Sequence, residues 1–192
     1  ALARDMAIRL AKHLGEHGDI VIINGHPDAS TSAPRAAGFR EGLLAFPEIA
    51  IRAELRGDYQ RDSAAKAFEQ LVSARGVPNG VLTANDFMAR GVLDVLQARE
   101  TTSIVVSANA TPDGVSMIKD GRILASAAFD AMSMAGLAAE AAVRYLRGET
   151  VPRSMMLPAI LVDQHNLEYW DRPYEARSMY PWDDAVAKCV VA

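Results

Sequence analysis

Five side chains with planar polar or aromatic groups each follow a predicted buried strand. They are Arg35, Tyr59, Asn85, Asn109 and Asp130. Arginine, asparagine and aspartate carry forked groups that can pair with two neighbouring hydroxyl groups at once. An aromatic ring such as that of Tyr59 can cover an apolar C–H face. These residue types therefore suit a carbohydrate ligand.

The same side chains also have ordinary structural explanations. Asn85 and Asp113 are residue types that commonly cap the first turn of a helix. Asn109 is a typical turn residue, and Arg35 could be a solvated residue on the surface of a helix. The spacing alone leaves the binding and the structural interpretations open.

The elements that would position these residues alternate between helix and strand with short connections. Strands are predicted at residues 20–23, 50–55, 80–83, 103–107, 123–128 and 155–162, and helices at 33–45, 61–74, 87–98, 113–119 and 132–146. Repeated β-α units of this kind favour an α/β fold with a parallel sheet flanked by helices on both faces. Ligands of such sheets bind at the carboxyl ends of the strands, so the five side chains should meet at one edge.

Composition excludes several classes of function. The chain has 192 residues, a net charge of −4 and no basic stripe, so nucleic acid is not an expected partner. Its single cysteine, Cys189, cannot form an intrachain disulfide, and no apolar run is long enough to span a membrane. Asp58 and Asp86 could be imagined as a hydrolytic pair of carboxylates, but no positioned nucleophile accompanies them. No metal site is expected either.

An ordered set of short motifs carries a family resemblance. The motifs are SAPRAAGF at 32–39, GDY at 57–59, TANDFMA at 83–89, TPDG at 111–114, IKDG at 118–121 and GE at 148–149. In this order they resemble the periplasmic sugar-binding proteins of the ribose-binding type, which are the solute receptors of ABC importers. The resemblance implies a lobe of Rossmann-like topology and a protein that binds its ligand without enzymatic activity or a cofactor.

The resemblance also assigns roles to individual residues. Arg35 matches the ligand-contacting arginine of the family, Tyr59 its aromatic wall and Asn85 its amide. Asn109 stands where ribose-type proteins usually have an aspartate, and Asp130 stands where they often have a glutamine. The implied partners are a monosaccharide or polyol ligand and an ABC permease, and the implied location is the periplasm.

The family pattern further predicts how the chain is divided. Residues 1–130 are expected to form a C-terminal ligand-binding lobe, and residues 131–160 a helix and strand that belong with an N-terminal lobe outside this sequence. Residues 161–192 would form the last crossing and an aromatic tail laid against a surface. The helix at 132–146 has little polar surface, so we expect the other lobe or a second copy to cover it.

Two other kinds of protein share parts of this pattern. The effector-binding domain of a LacI-type transcription regulator has the same fold and the same arginine and Asn-Asp motifs. The other alternative is the sensory domain of a membrane receptor, in which the aromatic tail would connect to the rest of the receptor. The TPDG segment and the turn at Asp120 and Gly121 look more like the transport receptors.

Overall fold

The computed structural model, which describes residues 1–189, contains six strands in one sheet. The strands are β1 (Gly18–Asn24), β2 (Ile49–Arg56), β3 (Gly80–Thr83), β4 (Ile104–Asn109), β5 (Ala125–Ala128) and β6 (Leu161–Val162). They lie in the order β2-β1-β3-β4-β5-β6, and every neighbouring pair except β5 and β6 is parallel. The predicted α/β class is confirmed.

Helices connect these strands and cover both faces of the sheet. They are α1 (Leu2–His13), α2 (Ser32–Leu43), α3 (Arg61–Arg75), α4 (Asp86–Ala98), α5 (Pro112–Lys119), α6 (Ala131–Leu146), α7 (Leu167–Trp170) and α8 (Trp182–Lys188), with a short 3-10 turn at Tyr174–Ala176. Because the connections between parallel strands are short, each helix packs back onto the sheet that it leaves.

The side chains of β1 show how the sheet divides the core into two layers. Ile20 and Ile22 pack with α1 and α2 on one face, whereas Val21 and Ile23 pack with α3 and α4 on the other. This division follows from the two-residue period of a strand, which sends successive side chains to opposite faces. A continuous apolar run is therefore what a strand covered on both faces requires.

The last predicted strand is the element that the sequence described least well. Residues 155–162 were expected to form a strand, but only Leu161–Val162 do so, and β6 runs antiparallel to β5. Pro158 lies within this segment, and a proline cannot donate a ladder hydrogen bond. The two-residue strand brings the chain back across the edge of the sheet and leads into the tail.

The tail packs against two different surfaces, as the aromatic content of the sequence predicts. Trp170 is buried in the core layer where α7 packs against α5, and Tyr169 lies next to it. Tyr180 and Trp182 pack instead against a small cluster formed by Leu137 of α6 with Ala185 and Cys189.

Most of α6 nevertheless remains uncovered. Only Ser133 and Leu137 of this helix are buried. Its exposed side chains include several large apolar ones, namely Met132, Met134, Val143, Tyr145 and Leu146. A surface helix of a globular protein usually turns such residues inward, so their exposure on α6 is unusual.

The described residues contain neither a membrane-spanning helix nor a cluster of metal ligands. Among the helices of residues 1–189, none combines the length and the apolar character that a membrane crossing requires. Within the same residues, no group of three or more histidine, cysteine or acidic side chains is placed to hold a metal ion.

Packing between α3 and α4 yields a test of the fold. A Cβ atom added at Gly91 would collide with the backbone carbonyl of Arg61, which cannot move away as a side chain can. We expect Gly91→Ala to lower the free energy of unfolding by about 1–3 kcal/mol, because overpacking outweighs the gain in helix propensity. Urea denaturation followed by circular dichroism measures this change.

Gly136 provides the matched control, since it also lies within a helix. A Cβ atom there would meet the flexible thioether of Met179, which can move aside. Gly136→Ala should therefore change the free energy of unfolding by less than about 1 kcal/mol. Equal effects of the two substitutions would contradict the close contact of α3 with α4.

Candidate ligand-binding site

The edge of the sheet where β1 to β5 end brings the five selected residues to one side of the molecule. We call this edge the carboxyl rim. Arg35 lies in α2 after β1, Tyr59 follows β2, Asn85 follows β3, Asn109 ends β4 and Asp130 follows β5. Since these strands are parallel, their carboxyl ends share this edge.

A buried carboxyl group, that of Asp86, organises the middle of the rim. Ser107 of β4 and Ser126 of β5 donate hydroxyl hydrogen bonds to its Oδ1 atom at 2.6 and 2.7 Å. The backbone N–H and the hydroxyl of Thr111 donate to Oδ2 at 2.8 and 2.9 Å. One side chain thus joins the ends of three strands and the loop that leads to α5.

Burial and hydrogen bonding act on Asp86 in opposite directions. Burial raises the pKa of its carboxyl group, and the hydrogen bonds from Ser107, Ser126 and Thr111 oppose that rise. The side chain is enclosed, with only 1% of the residue exposed. Asp58 pairs with Arg56 on the surface instead. These two aspartates therefore do not form a catalytic pair.

Asn85 both caps a helix and holds the neighbouring loop. Its side-chain oxygen accepts a hydrogen bond from the backbone N–H of Met88 at 2.9 Å, which confirms the capping interpretation. Its amide nitrogen donates to the carbonyl oxygen of Tyr59 at 3.1 Å. These contacts use one of its two N–H groups, so the capping role is compatible with a contact to a ligand.

The loop after β2 has an unusual backbone that places the ring of Tyr59. Asp58 and Tyr59 have φ angles of 54° and 61°, in the left-handed region. The ring lies against Gly25, where even a Cβ atom would overlap it. The phenolic hydroxyl shares a 2.9 Å hydrogen bond with the hydroxyl of Thr31. The aromatic ring is thus held over the loop that follows β1.

Arg35 is half-buried and anchored, so its interpretation as a solvated helix residue was wrong. Its guanidinium group donates to the carbonyl oxygen of Ala84, at the end of β3. Burial lowers the pKa of Arg35, and the nearby Tyr59 and Asp86 oppose that effect. The result is a fixed cation beside the aromatic ring and the Asn85 amide.

Asn109 and Asp130 lie further along the same rim. The φ angle of Asn109 is 105°, which agrees with a turn residue, and its carbonyl oxygen accepts from the N–H of Phe129 at 3.2 Å. Asp130 caps α6 by accepting from the N–H of Ser133 at 3.1 Å. Asn85 is therefore bonded to Tyr59, and Arg35 to Ala84, the residue before Asn85. Asn109 and Asp130 follow on the next two strands.

Two exposed aromatic residues at the rim were not selected from the sequence. Phe87 lies in the first turn of α4 and Phe129 directly after β5, and each is 55% exposed. A phenylalanine beside a polar residue at a strand end is the signal that could have identified them. Both rings are available to cover an apolar ligand surface at this edge.

One cavity lies away from the rim. It has a volume of about 980 Å³ and lies at the opposite edge of the sheet, between the ends of α1 and α4 and the starts of β4 and β5. We call it the amino-edge groove. A second cavity, of about 460 Å³, lies beside Asp130 between α6 and the tail.

Comparison with known proteins assigns the fold to a family. Residues 1–150 match the family described as periplasmic binding protein domain. The chain belongs to this family. This match confirms the family resemblance found in the sequence, and the family consists of receptors without enzymatic activity.

Two curated relatives of this periplasmic binding protein cover most of its length. It is 29% identical over 143 residues to the ribose import binding protein of Escherichia coli, a match that spans 74% of this chain and 48% of the relative. It is 29% identical over 160 residues to the xylitol-binding protein of Mycolicibacterium smegmatis, across 80% of this chain and 45% of the relative. The chain thus spans about half the length of these relatives.

A solved structure has the same fold over nearly the whole chain. The twin-arginine translocation pathway signal protein from Burkholderia phytofirmans superposes with a TM-score of 0.87 at 22% sequence identity. The match covers 99% of this periplasmic binding protein and 62% of that chain. The arrangement of strands and helices therefore also occurs in a protein of low sequence identity.

The Asp86 network yields a second test. Asp86→Ala leaves the Thr111 N–H and the hydroxyls of Ser107 and Ser126 without their acceptor in a buried place. We expect the free energy of unfolding to fall by about 3 kcal/mol.

Asp113, which is exposed in the first turn of α5, is the control. Asp113→Ala should lower the free energy of unfolding by less than about 1 kcal/mol. Similar losses in both variants, measured by urea denaturation, would disprove the organising role of Asp86.

Proposed function

We propose that this protein is a solute receptor of a bacterial ABC importer, and that it binds a monosaccharide or polyol in the periplasm. The observation that carries the proposal is the arrangement at the carboxyl rim, where Asn85 donates to the carbonyl oxygen of Tyr59 and Arg35 donates to that of Ala84, the residue before Asn85. The ribose and xylitol receptors that it resembles support the same class of ligand.

The chemistry of the rim suits hydroxyl groups. The guanidinium of Arg35 can only donate hydrogen bonds, an ionised Asp130 can only accept them, and Asn85 and Asn109 can do both. A sugar hydroxyl also donates and accepts, so each of these groups can pair with it. The ring of Tyr59 would cover the apolar face of the sugar.

The energy available from such contacts is sufficient for a transport receptor. Each hydrogen bond contributes roughly 0.5–1.5 kcal/mol net, and those to charged groups contribute more. Several of them in a closed cleft would reach micromolar affinity, which corresponds to about −8 kcal/mol. Because the rim groups are already held by backbone partners, little conformational entropy would be lost when the ligand binds.

The position of the carboxylate would contribute to ligand selectivity. Ribose-type proteins usually have an aspartate where this chain has Asn109, and often a glutamine where it has Asp130. The carboxylate at the rim is therefore displaced by one strand, from the end of β4 to the position after β5. A ligand with a hydroxyl group near Asp130 would gain a charge-assisted hydrogen bond there.

We further propose that a second lobe completes the cleft. The chain spans about half the length of the curated relatives it matches, and the exposed apolar side chains of α6 offer a surface for such a lobe. On this proposal residues 1–130 form the C-terminal lobe, residues 131–160 belong with the second lobe, and residues 161–192 return as the last crossing and tail. The ligand would be enclosed when the lobes close, and the ABC permease would recognise the closed form.

Ligand titration tests the rim. Ribose and xylitol, added to the 15N-labelled chain, should shift amide resonances near residues 35, 59, 85, 109 and 130. Arg35→Ala should weaken this binding at least tenfold, because it removes a charged hydrogen-bond donor worth about 1.5–3 kcal/mol.

Arg40 provides the control for charge, since it lies on the same helix but pairs with Glu54 on the surface. Arg40→Ala should leave the affinity unchanged. The proposed site would be wrong if both sugars bind Arg35→Ala as well as the unaltered chain, or if the shifts occur away from the rim.

The exposed face of α6 can be tested by association. Without a second lobe to cover α6, we expect the 192-residue chain to self-associate as its concentration rises, because burial of this face is favourable. Val143→Glu combined with Leu146→Glu should shift the equilibrium towards monomer in sedimentation velocity.

Leu44 serves as the comparison, since it is 82% exposed at the end of α2, far from α6 in the sequence. Leu44→Glu should not alter self-association. A chain that stays monomeric at every concentration would argue against a covered α6 face.

A further inference from the structure

The amino-edge groove has the form of a ligand site. Its volume of about 980 Å³ lies at the upper end of the range found for small-molecule pockets. Leu93, Leu96 and Ile123 provide apolar surface, and polar side chains from α1, β4 and the segment after β6 surround it. It lies across the sheet from the carboxyl rim, so its occupation is independent of the proposed sugar site.

An ion pair fixes one arginine in this groove. Arg9 donates from Nη2 to Oδ2 of Asp163 at 2.8 Å. The other carboxylate oxygen of Asp163 accepts from the backbone N–H of His165 at 2.8 Å. Asp163 is thus occupied by partners of its own, and it holds the guanidinium group of Arg9 in place.

Two polar atoms in the lining are buried without a hydrogen-bond partner among the described residues. They are Nε of Arg9 and the hydroxyl oxygen of Ser103. A buried polar group that lacks a partner destabilises the folded state, and more so when it is charged. Such groups are uncommon in folded proteins, and a ligand that accepts hydrogen bonds would relieve the cost.

The charge of the lining favours an anion. Arg9 and Arg122 both line the groove, whereas Asp163 is its one acidic residue. His13 and His165 add two imidazole rings, each of which can donate a hydrogen bond. The whole chain carries a net charge of −4, so the groove is locally positive in a protein that is negative overall.

We propose that the amino-edge groove binds a small organic anion with an acidic head and an apolar body. The head pairs with Arg122 and accepts hydrogen bonds from Nε of Arg9 and the hydroxyl of Ser103, which become accessible when small side-chain movements open them to the groove. The body lies on Leu93, Leu96 and Ile123. Apolar burial supplies affinity, and the paired charges orient the ligand.

Benzoate and benzamide are suitable probes, because they share the same ring and differ in the charge of the head. We expect benzoate, added to the 15N-labelled chain, to shift amides at residues 101–105, 121–124 and 163–165 and to leave those of the carboxyl rim unchanged. Benzamide should bind at least tenfold more weakly, which is the factor expected from about 1.4 kcal/mol of charge interaction.

Three variants distinguish a specific binding site from a general attraction of anions to positive charge. Ser103→Ala and Arg122→Gln should each weaken benzoate binding by about three- to tenfold. Lys12→Gln removes the same charge from an exposed position on α1 outside the lining, and it should have no effect.

Several outcomes would overturn the proposal. Equal binding of benzamide and benzoate would do so, as would an equal loss of benzoate affinity in Lys12→Gln and Arg122→Gln. Amide shifts that cluster at the carboxyl rim would also contradict it. So would the absence of amide shifts at roughly 50 mM benzoate, a concentration well above the millimolar dissociation constants expected of a fragment. Ribose titration of the same variants keeps this result separate from the proposed receptor function, since the sugar site does not depend on the groove.

Discussion

Burying the carboxyl group of Asp86 obliges the protein to supply hydrogen-bond donors for it, because a charge without partners is costly away from water. The donors come from β4, from β5 and from the loop before α5, so these elements are held in one arrangement. Asn85, which precedes Asp86, donates to the carbonyl oxygen of Tyr59. This contact extends the arrangement to the loop after β2, at the other edge of the sheet. The geometry of the whole carboxyl rim therefore depends on an aspartate that no ligand needs to touch.

Side chains at the rim share a second property, which is that backbone groups hold them before any ligand arrives. Arg35 donates to the carbonyl of Ala84, Asn85 caps α4, and Asp130 caps α6. The structural and binding interpretations, which the sequence presents as alternatives, are in this protein compatible. A residue that is fixed by a cap or a carbonyl contact has less freedom to lose, which makes it a better ligand contact.

The sequence predicts well those features that depend on neighbouring residues. The apolar run Ile20-Val21-Ile22-Ile23 predicts a strand covered on both faces, and the polar residues after each strand fall at one edge, as parallel topology requires. What it predicts poorly depends on distant contacts. Ser126 gives no sign within β5 that it donates to Asp86, 40 residues away. The amino-edge groove draws on separate segments, and the direction of β6 depends on where the intervening chain leads.

The buried Cys189 has a practical consequence. It is the single cysteine of the sequence, and it is 4% exposed at the end of α8, packed with Leu137. A thiol reagent can reach it only when the tail lifts away from α6, so the labelling rate would report how often that opening occurs. Labelling of Cys189 therefore allows the movement of the last helix to be measured in the unaltered protein.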